Sequence, residues 1–233
     1  MLRSTSDLED YAIHAIDGPI GHVKDFYFDD EAWVIRYLVV ETGTWLSSRK
    51  VLISPIAIGN PNWTEKALPV SITKEQVKNS PDIDTGMPVS RQHETQYLGY
   101  YHYPFYWHGE QILIGGSYPN RIPGYAGAEE AYARVDAAWR QDDDPHLRSC
   151  KAVMSHNIHA TDGDIGHVQG LLVDEETWAI RYMIVNTSNW WLGHQVLIAP
   201  QWIKDVSWSD ATVSVNQTRQ AVKDALSYDP SAT

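Results

Sequence analysis

Histidine and aspartate recur in the same order in two stretches of the chain, IHAIDGPIGHV (13–23) and IHATDGDIGHV (158–168). His14 and His22 flank Asp17, and His159 and His167 flank Asp162. Two imidazoles beside a carboxylate suit zinc or a similar divalent metal, provided a tight turn brings them together. Each site offers only two nitrogens, and strand alternation can turn paired rings to opposite faces. The expectation is that no metal and no cofactor is held. The glycines allow another chemistry, an anion cradled by backbone N–H groups. Phosphate loops, however, lead into a helix N-terminus, whereas this turn leads into a strand. Asp17, Gly18 and Gly21, with Asp162, Gly163 and Gly166, are therefore read as a hairpin turn followed by a bulge.

Other catalytic signatures are missing. His93-Glu94-Thr95-Gln96-Tyr97 starts like a zinc-protease helix but lacks the second histidine. There is no GxSxG, no phosphate-loop lysine motif and no dinucleotide fingerprint, and Cys150 is the single cysteine. No catalytic residue is assigned, and the chain is not expected to be an enzyme. Arg36 and Arg181 each stand in an otherwise apolar strand. Recognition of a partner's carboxylate or phosphate by the planar fork is one reading. Each is expected instead to pair with the acidic turn just before it, such as Asp29 or Glu31 for Arg36, because a buried guanidinium needs a partner. The stretch YLGYYHYPFYW (97–107) is the strongest candidate for binding, through Tyr100, Tyr101, Tyr103, Tyr106 and Trp107. Such rings give large contact area at low entropic cost, to a partner, a quinone-like ring or a glycan. Packing of the same rings between or around domains stays open beside it.

The elements that must position these residues come as a repeat. Shifting the sequence by 145 positions aligns 13–55 with 158–200 without a gap, and 22 of the 43 pairs are identical. Each copy reads as about six short strands: an alternating run, the Asp-Gly turn, a strand ending in an acidic turn, WVIRYLVVET or WAIRYMIVNT, VLISP or VLIAP, and one more. Trp45 and Trp190 sit in equivalent loops, and a short helix closes each copy, the first with capping-box spacing from Thr73 to Gln76. The fold class is mainly β: two small β-barrels in tandem, with domains at 6–80 and 148–230. The linker between them (81–147) is aromatic-rich and carries an amphipathic helix over 127–144.

Net charge is −12 from 30 acidic and 18 basic residues, so direct nucleic-acid binding is not expected. No apolar run is long enough to span a membrane and the start lacks a signal-peptide core, which points to the cytoplasm. Peripheral membrane association stays open, as does the choice between monomer and homodimer.

The pattern DGxIGHV, then D-[DE]-E-x-W-x-IRY, then VLI-x-P, resembles the PRC-barrel domain in two copies. SPDIDTGMPVSRQHE, YYHYPFYW and DPHLRS resemble the bacterial tandem subfamily. That fold is shared by the cytoplasmic part of the photosynthetic reaction-centre H subunit and the C-terminal domain of a ribosome maturation factor. The resemblance implies a scaffold that docks onto a protein partner or larger assembly. Its alternatives are an accessory subunit of a membrane photosynthetic or electron-transfer complex and an adaptor in ribosome or RNA maturation. A metal-dependent enzyme, resting on the histidine pairs alone, comes last.

Overall fold

The computed structural model describes residues 1–81, 89–106, 145–187, 194–225 and 227–228. Trp107, Trp190 and the helix expected over 127–144 lie outside them. The chain is mainly β and divides into two compact units, Glu9–Arg148 and Met1–Leu8 with Ser149–Thr233.

In the first unit, β2 (Ala12–Ala15) turns through Asp17-Gly18 into β3 (Gly18–Asp29), which pairs antiparallel with β4 (Val34–Glu41). β5 (Lys50–Ile53) follows on the far side of β4, and β6 (Ala67–Pro69) returns parallel to β2, giving the order β5-β4-β3-β2-β6. Helix α2 (Lys74–Lys78) carries the expected capping box: Thr73 Oγ1 accepts from Gln76 N–H and Gln76 Oε1 from Thr73 N–H. β7 (Val89–Ser90) leads into α3 (Arg91–Tyr101).

The second unit repeats the plan. β9 (Asn157–Ala160), β10 (Gly163–Asp174), β11 (Ile180–Asn186) and β12 (Gln195–Ile198) run antiparallel. β13 (Ile203–Ser207) pairs with β14 (Thr212–Val215), and β14 lies parallel to β9. Helix α5 (Arg219–Lys223) stands where α2 stands in the first unit.

Each sheet takes one strand from the arm that leads the other repeat. β1 (Leu2–Ser4) and α1 (Thr5–Leu8) precede repeat one, yet β1 pairs with β10, Arg3 lying opposite Val173. β8 (Pro145–Ser149) precedes repeat two and its helix α4 (Cys150–Val153), yet it pairs with β3. The 145-residue shift relates Leu2-Arg3-Ser4 to Leu147-Arg148-Ser149. Their arginines make equivalent ion pairs, Arg3 Nε to Glu175 at 2.8 Å and Arg148 Nε to Asp30 at 3.1 Å.

Alternate residues of each sheet fill a core that water does not reach, with Ile13, Ile20, Phe26, Leu38 and Leu68 in the first unit. Ile158, Ile165, Leu171, Met183 and Val213 occupy equivalent places in the second. Fully burying one such side chain is worth about 1.5–3 kcal/mol. β4 is buried on both faces from Val34 to Val40, as its apolar run predicts. β11 is not: Arg181 is exposed and Tyr182 half-buried.

Candidate functional site

The hairpin residues are placed by two structural demands. Asp17 Oδ1 accepts from the backbone N–H of Lys74, the first residue of α2, at 2.8 Å. Asp162 Oδ1 does the same for Arg219 of α5 at 2.7 Å. Each aspartate thus satisfies a helix N–H that has no partner within the helix. Gly18 and Gly163 adopt φ of +137° and +140°, which only glycine takes readily. Gly21 and Gly166 face a closer constraint, because a Cβ on either would lie 1.8 Å from a backbone carbonyl oxygen, of Glu41 or Asn186.

The histidines are not cross-strand partners within their hairpins. His22 lies opposite Ala12 and His14 opposite Pro19, while His167 lies opposite Asn157 and His159 opposite Asp164. His159 Nδ1 contacts Asp164 at 2.5 Å, with both side chains largely solvated. Among the described residues no group of three or more His, Cys, Asp or Glu side chains is placed to hold a metal ion.

The aromatic stretch lies on the first unit. Tyr97 is buried, and its ring meets Tyr37 of β4 edge-on at 4.9 Å. Its hydroxyl donates to Leu52 C=O at 3.0 Å and accepts from Ser54 N–H at 3.1 Å, joining α3 to the outer edge of β5. Tyr101 packs on Tyr97 and stacks on Tyr103, and the Tyr100 hydroxyl donates to Gln76 C=O of α2 at 2.8 Å. Burial raises the Tyr101 phenol above its ordinary 10 and pushes Tyr103 up to about 12. Both therefore remain hydrogen-bond donors near neutral pH. The Tyr106 hydroxyl donates to the buried Glu94 carboxylate at 2.8 and 2.9 Å.

Arg36 ties this cover to the sheet. Its guanidinium lies 3.7 Å from the centre of the Tyr106 ring, and Nη2 is 3.3 Å from Asp29 Oδ2, so the expected ion pair is present and buried. The other Asp29 oxygen accepts from Glu31 and Ala32 N–H, closing the turn that sets Trp33 at φ +55°. Asp174 builds the same turn in the second unit, with Trp178 at φ +59°. Burial alone would raise the Asp174 carboxyl. The Thr177 and Glu176 N–H groups, the Thr177 hydroxyl and the Arg181 charge outweigh it and hold the carboxyl below its ordinary range. Arg181 lies 3.7 Å from Asp174, but its side chain is 50% solvent-exposed. The two arginines are therefore equivalent in sequence and different in setting.

Sequence reasoning left Glu94 and Tyr97 out of the candidate set. Their spacing of one helical turn was the available signal, since it puts a carboxylate and a phenol on one helix face.

Another asymmetry falls between Tyr11 and its counterpart His156. Tyr11 meets Trp63 at 6.2 Å and buried His156 meets Trp208 at 5.4 Å. Among the described residues, His156 Nε2 has no hydrogen-bond partner. Burial lowers the His156 pKa below its ordinary 6.5, the Met154 backbone opposing this only in part. The folded unit thus favours the neutral ring. Its stability is complete above about pH 6.5 and is lost as the pH falls towards the lowered folded pKa. His156→Tyr, which copies repeat one, should flatten this acid sensitivity in melting scans between about pH 7 and pH 5. An unchanged slope in the variant would contradict the assignment.

A mainly β module, with Tyr97 and Tyr101 buried on its first unit, is the class these features define. Residues 3–77 match the PRC-barrel domain family. No curated protein matches the chain. The second repeat is tied to the matched region by its 22 identities in 43 positions. Among the described residues no helix is long and apolar enough to cross a membrane.

Proposed function

We propose that the chain is a docking module with no catalytic work of its own. In this reading two PRC-type barrels stand in tandem, at 6–80 and 148–230, and the second holds a protein partner or a larger assembly in the cytoplasm. Support comes from the family match over residues 3–77, since this module occurs in protein-interaction contexts.

The single observation that carries the reading is the contrast between equivalent faces. In the first unit Arg36 and Tyr37 are buried, whereas in the second Arg181 is exposed and Tyr182 half-buried. A planar cation beside an aromatic ring is the composition that dominates binding energy at protein interfaces. Among the described residues, the first unit's face is closed by its own chain and the second unit's equivalent face is not. The histidine pairs give no comparable support for a metal-dependent enzyme.

The experiment is an affinity pull-down of the intact chain from its native cell, with membrane and ribosome fractions analysed separately. A stoichiometric partner that is lost with Arg181→Glu is the expected result. The fraction that yields it decides between a membrane electron-transfer complex, a ribosomal assembly and a soluble partner. Recovery of the same partner by wild type and Arg181→Glu would overturn the reading.

A further inference from the structure

Among the described residues, the second unit leaves uncovered a face that repeats, group by group, a seat already filled in the first unit. Antiparallel ladder bonds alternate along a strand pair. Thr42 N–H bonds Arg49 C=O and Thr187 N–H bonds His194 C=O, which fixes the alternation in both units. With Leu52 opposite Val39 and Leu197 opposite Ile184, the backbone groups of both leucines point outward, away from the sheet. In the first unit the Tyr97 hydroxyl occupies that edge, between Leu52 C=O and Ser54 N–H. The equivalent groups of the second unit are Leu197 C=O and Ala199 N–H, which have no partner among the described residues. Among the described residues of the following segment, Tyr228 N–H takes Gln195 C=O at 2.9 Å and Ser227 bridges Val196. On β11, Met183 lies opposite Ile198, and before it in the chain come Tyr182, the counterpart of Tyr37, and Arg181, the counterpart of Arg36.

We infer that the outer edge of β12, with Tyr182 and Arg181, is a seat for a tyrosine-bearing helix supplied by a protein partner. The helix carries an acidic residue one turn before the tyrosine, as Glu94 precedes Tyr97. The tyrosine hydroxyl bridges Leu197 C=O and Ala199 N–H, and its ring meets Tyr182 edge-on. The acidic and aromatic groups beside it face the Arg181 guanidinium. The occupant's chemistry is argued from α3, which makes these contacts on the equivalent edge, and from the positive charge of exposed Arg181. This rests on the docking reading and specifies the partner.

The test uses the intact chain and a labelled synthetic peptide of residues 89–106, followed by fluorescence anisotropy. Saturable binding is expected, at least tenfold weaker with Arg181→Glu or with Tyr182→Ala, and circular dichroism of each variant checks that the fold is kept. A peptide with Tyr97→Phe loses the bridging hydroxyl and should bind about three- to tenfold more weakly. Absence of saturable binding overturns the inference, and so does binding that neither protein variant weakens. A dimer that dissolves in Arg181→Glu also overturns it, since a second copy would then fill the seat. A partner recovered in the pull-down and lost with Arg181→Glu, without peptide binding, would sink the tyrosine helix alone and leave the docking reading standing.

Discussion

Alanine at Gly21 or at Gly166 should cost about 3 kcal/mol or more, among the largest losses that single substitutions produce. The added methyl at Gly21 would stand 1.8 Å from Glu41 O, 2.7 Å from its carbonyl carbon and 2.9 Å from Thr42 Cα. Non-bonded heavy atoms rest about 3.5–4 Å apart, so the seam between β3 and β4 has to open. It cannot open cheaply, because the neighbour is backbone. Thr42 is fully buried and its hydroxyl donates to Arg49 C=O at 2.7 Å. The second unit repeats each part: Asn186 O lies 1.8 Å from the added methyl of Gly166, and buried Thr187 donates to His194 C=O at 2.8 Å. Gly43 supplies the control. It has open space around it but φ of +56°, so its alanine variant should lose only about 1–2 kcal/mol. Denaturant midpoints measure all three. Equal losses at Gly21 and Gly43 would refute the close-approach account.

Arg36→Ala should be as damaging, and Arg181→Ala nearly silent. Removing the Arg36 guanidinium leaves the Asp29 carboxylate buried without its cation and takes away the base on which Tyr106 rests. Breaking one side of a buried pair costs about 3–5 kcal/mol. Arg181 is half exposed and sits farther from its carboxylate, so water replaces it and the loss should stay within about 0.5 kcal/mol. Similar losses for both variants would mean that the second unit's face is closed after all.

The sequence shows the repeat plainly, because 22 identities at one shift leave little choice of register. It shows the Asp-Gly turns as well, although Asp17 and Asp162 also hold the N-termini of α2 and α5, partners far along the chain. Gly21 and Gly166 are legible as bulge positions, and the strand pairing shifts register at both; the carbonyl that crowds them is not legible. The strand that crowds them is the one after the acidic turn, and only pairing brings its carbonyl close. The exchanged arms are harder still. Leu-Arg-Ser at 2–4 and 147–149 reads as part of the repeat, yet either sheet offers an acid to its arginine, Asp30 or Glu175. Which sheet receives which arm is a three-dimensional choice. The difference between Arg36 and Arg181 is invisible in the strands themselves, since both stand in the same IRY run. It arises from Tyr106 and α3, part of an aromatic stretch that the sequence offers both as a binding surface and as packing.

The measurement that tests the docking claim most directly is site-specific photo-crosslinking in the native cell, with a photoreactive residue at Tyr182 and another at exposed His14 as control. One protein crosslinked at Tyr182 and absent at His14, the same one recovered in the pull-down, is the result predicted. Adducts at His14 with none at Tyr182 would contradict it and move the partner to a different surface.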